Sequence, residues 1–366
     1  MNGDQLLYQI AITQIPGIGT RLAKQLIVKL GSAQLVFKEP FKALSQLNGI
    51  NQNLARNIKN FDQIANAKKE IDFIQRHNIS TRFFQDDDYP FRLKFCSDGP
   101  LLLFGKGQIE WNPKRVLSIV GTRRASVYGK KQCNSIIEDL QSSKLTIISG
   151  MAYGIDICAH RAAVKNNIAT VAVVAHGLDR LYPAVHRNTL VEMMAQGGVI
   201  TEFPSGTIPD RENFPKRNRI IAGLSDATLV IESGAKGGSM ITADIAASYN
   251  RDVFAIPGNN GSPMSEGCNY LIHCQKAGLI RHAGDIKKIM NWVDKKKPSS
   301  IQTALFVDLN EEEKSIVSLL HHSGPSGIDD ICLQTKFPMS KTSVLLLNLE
   351  FKGMVQSLPG KVYLLV

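Results

Sequence analysis

The chain has 366 residues, 43% hydrophobic and 20% charged, a balance that excludes an intrinsically disordered polymer and leaves room for two or three folded domains. No stretch reaches the ~18 continuous apolar residues of a membrane-spanning helix, and the opening MNGDQLLYQI lacks the basic segment and apolar run of a secretory signal; a cytoplasmic protein with no membrane partner is expected. A net charge of +11 points to a polyanionic partner, while six cysteines scattered without CxxC pairs give no metal or disulfide signature, so neither metal nor cofactor is expected.

Residues 1–80 read as short helices, an all-α domain of helix-hairpin-helix or SAM-like type. Two related segments lie in it, IPGIGTRLAKQL (15–26) and LNGINQNLARNI (47–58), each with glycine between apolar residues and an amphipathic helix behind. The first resembles a helix-hairpin-helix motif, whose hairpin offers backbone N–H groups to a phosphate without reading bases. The second departs from that pattern at Asn51. A small helical bundle that touches no DNA is the alternative reading. Residues 83–107 are punctuated by Asp and Pro, with a short strand candidate at 101–104.

From Arg115 onward apolar strands alternate with amphipathic helices. The strand windows are 116–120, 145–148, 170–174, 199–202, 227–231 and 253–256; the helices are 128–141, 155–166, 186–196, 215–224 and 239–249. That alternation predicts an α/β domain over 81–290, an extended Rossmann-like, mostly parallel sheet covered on both faces. Nearly every predicted strand ends in small or charged residues, as in GTRRAS after the first and ESGAKGGS after the fifth. Ligands of open α/β sheets bind outside the carboxyl ends of the strands, so these loops converge on one crevice. In ESGAKGGS the glycines permit close approach of a ligand, and Ser239 is the predicted N-cap of the following helix.

The contents of that crevice suit a phosphate chain. Neither GxGxxG nor GxxxxGK[ST] occurs. Three basic clusters meet there instead: Arg123 and Arg124; Lys216, Arg217 and Arg219; and Lys236. Phe214, Tyr153 and Phe203 are available to stack bases, the usual companion of a basic groove in single-strand binding. Ser149, Asp156, His160, His176, Asp179, Glu202 and Glu232 form no recognisable nucleophile elbow or carboxylate pair, and Cys268, His273 and Cys274 have no recognised ligand spacing. An enzyme is therefore not expected. The alternative is a nucleotide phosphoribohydrolase-like Rossmann enzyme, from whose PGGxGTxxE loop the segment SGAKGGSMITAD departs.

A basic linker follows at 291–303, containing KKKPSS, and then a predicted winged-helix domain at 304–366. From residue 301 onward five lysines face seven acids, leaving this segment net negative although the chain is basic. Its recognition helix, near 340–351, offers only Lys341 and Lys352. A protein partner for this tail is favoured over DNA reading.

The segments YPFRLKFCSDGPLLLFGKG, SIVGTRRAS, SGMAYGIDICAHRAA, TVAVVAHGLDRLYP, ITEFPSG, FPKRNRIIAGLS, VIESGAKGGSMITADIA, VFAIPGN and SEGCNYLI together resemble the DprA/Smf family of DNA-processing proteins. The resemblance is continuous from about residue 89 to 278. It implies a homodimer without enzymatic activity that binds single-stranded DNA and loads the RecA recombinase during natural transformation. The DNA contacts it implies are Arg123, Phe214, Lys216, Arg217 and the loop at Gly150; the strand-end loops and basic clusters add Gly121, Arg124, Arg219, Lys236 and Gly237 as expected contacts. The dimer face is placed around Tyr270, Leu271, Ile272 and Leu279, where NYLIHCQKAGLI shows an apolar side; an ordinary core helix is the equal alternative for that side.

Overall fold

A computed structural model describes residues 3–292, 309–358 and 362–365, in two compact units, 1–293 and 294–366. The first unit is built on nine strands: β1 (Ser80–Phe83), β2 (Leu102–Gly107), β3 (Val116–Val120), β4 (Thr146–Ser149), β5 (Ala169–Val173), β6 (Gly197–Thr201), β7 (Ala227–Val230), β8 (Asp252–Ala255) and β9 (Gly278–Leu279). They lie in the order β1-β2-β6-β5-β4-β3-β7-β8-β9. The pairs from β6 through β9 are parallel, and β2 and β1 extend the β6 edge antiparallel.

Every residue of β3, β4, β6 and β7 is buried, as a parallel sheet covered on both faces requires. Alternate side chains serve opposite faces. Leu117, Ile119, Ile147 and Leu229 pack under the helices Val127–Asp139 and Ile155–Lys165, while Val116, Val120, Ile148 and Val230 pack under Asn213–Leu224 and Gly238–Ser248. The chain runs from β3 to β4 on one side and returns to β7 on the other, so the carboxyl ends of β3 and β7 flank the point where the strand order reverses. A crevice opens at such a point.

The strand windows read from the sequence fall within two residues of β3 to β8. The largest shift is at β6, expected at 199–202, where two glycines precede the apolar run. A Cβ on Gly197 would stand 1.9 Å from the Thr170 carbonyl oxygen, and one on Gly198 2.1 Å from that of Lys106. Both strand neighbours press on this backbone, so glycine here belongs to the strand instead of ending it. Ser239 is not the N-cap of its helix: Gly237 is, and the Ser239 hydroxyl is buried and donates to Ser233 Oγ at 2.8 Å.

The helical region expected over 1–80 does not stand apart from the sheet. Its buried side chains, among them Ile10, Ile27, Val36 and Ile58, share one core with Phe83, Leu102 and Phe104 of β1 and β2. The second unit carries the helices Glu311–Ser323, Ile328–Thr335 and Met339–Phe351 with a small sheet of β10 (Ser326–Gly327), β11 (Val355–Leu358) and β12 (Val362–Leu365). Of the linker expected at 291–303, all beyond residue 292 lies outside the described residues. Both lysines of the expected recognition helix are engaged by acids of the unit's first helix: Lys341 with Glu312 at 2.5 Å and Lys352 with Glu313 at 2.7 Å.

Candidate nucleic-acid interface

The turn leaving β3 is held tightly. Thr122 N–H donates to the Glu232 carbonyl at 2.7 Å, tying the end of β3 to the end of β7. The Glu232 carboxylate then accepts the Ser126 N–H at 2.8 Å and its hydroxyl at 2.6 Å, which fixes the start of the next helix. A Cβ on Gly121 would lie 2.5 Å from Ile155 Cγ1, so the turn passes directly over the neighbouring helix. Arg123 and Arg124 are thereby carried into solvent on a rigid base.

Arg123 folds back over Phe214, its guanidinium carbon 5.2 Å from the ring centroid. Arg217 approaches the same ring at 5.8 Å, and Tyr182 adds an aromatic contact at 6.4 Å. Phe214 lines a hollow of about 460 Å³ whose walls are the β3 turn, the 213–224 helix and the glycine loop after β7. Gly121, Arg123, Phe214, Arg217 and Gly237 all line it. The Gly237 end contributes the uncapped start of the 238–248 helix, where free N–H groups favour an anion.

Arg217 differs from the expectation of an ordinary surface contact. It is 4% exposed and donates to the carbonyls of Gly150 at 2.5 Å and Val173 at 2.6 Å, bracing the ends of β4 and β5. Burial lowers its pKa to about 10, against the pull of Asp156, which still leaves it charged at neutral pH. Burial likewise raises the Asp156 pKa, opposed by Arg217. Gly150 is buried and does not line the hollow, and a Cβ there would lie 2.0 Å from Arg217 Nη1. Its role is to leave room for that side chain.

The other expected contacts spread out. Lys216 and Arg219 line a second, adjoining cleft, which shares Pro215 with the first hollow. Arg219 pairs with Glu202, whose pKa is raised by burial despite that partner. Arg124 and Lys236 are exposed but line neither space. Arg211 and Asn218, not singled out from the sequence, do line the first hollow. Asn218 follows Phe214 by four residues on the same helical face, a spacing the sequence carries, whereas Arg211 lies in the turn before the helix and only the fold brings it there. Tyr153 is exposed and packs edge-on against His186, apart from the hollow.

Each candidate catalytic group has a structural partner. Ser149 Oγ donates to the Ile119 carbonyl at 2.6 Å, His160 pairs with Thr170 Oγ1 at 2.8 Å, and His176 accepts the Tyr182 N–H at 3.2 Å. Among the described residues no group of three or more His, Cys, Asp or Glu is placed to hold a metal. In the expected dimer face, Leu271 is 1% exposed and belongs to the sheet's own core, with Ile272 packed against it. A buried core side chain cannot meet a second copy, which corrects that assignment; Tyr270 and Leu279 are exposed. No described helix is long and apolar enough to cross a membrane.

His160 gives a testable pH dependence. Burial lowers its pKa from 6.5 to about 3, so the fold holds it neutral. Its contribution to stability is complete above pH 6.5. Below that the unfolded chain takes up a proton that the folded chain refuses, and stability falls toward pH 3 by up to about 1.4 kcal/mol per pH unit. His176 is shifted the same way by burial. Urea titrations from pH 7 to 4 are expected to be less steeply pH-dependent for His160→Gln; an equally steep fall in both proteins would remove His160 as the cause.

The sequence matches the family described as DNA recombination-mediator protein A over residues 80–291, and the DprA winged-helix domain over residues 302–361. The chain belongs to the DprA family. Protein Smf of Synechocystis is 30% identical over 396 residues, covering 99% of each chain. The crystal structure of DNA processing protein A from Streptococcus pneumoniae superposes with a TM-score of 0.65 at 31% identity, over 77% of this chain and 97% of that one. The Helicobacter pylori DNA processing protein A gives 0.53 at 26% identity, over 58% and 95%. The family match runs through the whole sheet domain, so the hollow at the carboxyl ends of β3 and β7 is built entirely from matched residues.

Proposed function

We propose that the chain binds single-stranded DNA in the hollow beside Phe214, protects it and loads the RecA recombinase onto it during natural transformation or homologous recombination. The observation that carries this reading is the Phe214 ring, flanked by the guanidinium groups of Arg123 and Arg217 and lining an open hollow. A base stacked on such a ring contributes about 1–3 kcal/mol whatever its identity, and the cations around it hold the backbone. The Helicobacter pylori relative is described as having a single-stranded DNA binding mode, which supports the same reading. Gly121 and Gly237 act by letting the backbone come close, Arg124 and Lys236 by adding outer charge, and Gly150 acts indirectly, by leaving room for Arg217. The protein works as a homodimer through the surface near Tyr270 and Leu279, and its winged-helix unit meets a protein partner.

Fluorescence anisotropy with single-stranded and duplex oligonucleotides tests this. The expected result is preference for the single strand, with log K falling against log[salt] at about 0.7 per neutralised phosphate, and faster RecA filament assembly on strands carrying the protein. Equal affinity for duplex and single strand would overturn the reading.

A further inference from the structure

The cleft next to the Phe214 hollow is larger, about 820 Å³, and has one wall from each of two distant stretches of the chain. One wall is the helix Asn213–Leu224, through Pro215, Lys216 and Arg219. The other is the glycine hairpin of the N-terminal helices, through Gly19, Thr20 and Arg21, at the start of the helix Thr20–Leu30. Ser97, Asp98 and Tyr249 lie between them.

The charges of this cleft are uneven. Of its two nearby carboxylates only Glu202 is paired with a cation, Arg219, while Asp98 accepts the neutral Tyr249 hydroxyl at 2.5 Å. Arg21 is exposed and donates to Ser97 Oγ at 2.9 Å, with no carboxylate partner among the described residues. Lys216 is exposed and makes no hydrogen bond or ion pair among them. Arg219 Nη1 is buried without a hydrogen-bond partner. Two cations without a direct ion pair therefore line the cleft from its two walls, Lys216 close enough to Glu202 for the carboxylate to feel its charge. Burial, and after it the charge of Arg219, hold the Lys24 pKa below its ordinary value, against the opposing pull of Asp98.

Pro215 is common to the two spaces, and Phe214 and Lys216 flank it on one helix. We propose that the cleft continues the path of the same single strand: leaving Phe214, the strand crosses Pro215 and lays its next phosphates between Lys216 and Arg21. The N-terminal hairpin is then a second grip on the strand, beyond the aromatic contact. The hairpin itself offers a cation and backbone N–H groups, which hold a phosphate without reading bases. This inference rests on the single-strand reading above.

Oligonucleotide length separates the two grips. With the full chain and labelled oligo(dT) of about 6 and about 20 nucleotides, spanning the usual range of site sizes, Arg21→Glu is expected to weaken the longer strand about tenfold. Its salt slope for that strand falls by about 0.7, one phosphate, while the shorter strand binds as before. Arg21→Gln shifts the longer strand in the same direction by less. Arg123→Glu, on the first hollow, loses both lengths. If Arg123→Glu loses both and Arg21→Glu binds both like the wild type, the second grip is overturned and the single-strand reading stands. If Arg123→Glu still binds both, the single-strand reading itself fails. A loss by Arg21→Glu confined to duplex DNA assigns the cleft to another ligand and also overturns the proposal.

Discussion

Arg123→Glu is expected to fold normally and to lose single-stranded DNA binding by at least about a hundredfold. The side chain is exposed, lies over the Phe214 ring and makes no ion pair among the described residues; its charge only repels that of Arg217, so a carboxylate in its place leaves the buried brace charged. Reversal removes a charge-assisted phosphate contact, worth roughly twice a neutral hydrogen bond, and sets a carboxylate beside the face on which a base would stack, a contact worth about 1–3 kcal/mol. Each 1.4 kcal/mol is tenfold in affinity. Unchanged thermal unfolding together with unchanged anisotropy titrations would show that the strand runs elsewhere.

The largest effect on stability is expected from Arg217→Met. Methionine fills similar space but leaves the carbonyls of Gly150 and Val173 without their shared donor, and Asp156 buried without its opposing charge. Removing one member of a buried charge pair typically costs about 3–5 kcal/mol, read as a lower urea midpoint at unchanged slope. Adding Asp156→Asn to Arg217→Met removes the stranded charge, so the double variant is expected to recover a large part of the loss. Additive losses in the double-mutant cycle would mean that the two side chains are not energetically linked.

These two arginines mark how far the sequence could be read. Arg123 lies in a loop whose length and composition already place it at the end of a strand, and it lies where that loop implies. Arg217, Lys216 and Arg219 are indistinguishable as a run of basic letters, yet one is a buried brace, one a free cation and one half of an ion pair. Leu271 and Tyr270 divide in the same way, adjacent in the chain and on opposite sides of the surface. The antiparallel edge β1–β2 was only half legible, because its short strands lack a distinctive period and are fixed by pairing with β6.

What the sequence by itself determined was the alternation of apolar strands and helices, the gathering of small and basic residues at the strand ends, and the kinship carried by those segments. These are local properties, written in runs of five to fifteen residues whose burial and turn chemistry do not depend on distant partners. Only the tertiary structure decided which cation faces solvent and that the N-terminal hairpin forms a wall of the second cleft. Those outcomes depend on contacts such as Arg217 to Gly150, 67 residues apart, and helix phase and long-range packing set them together.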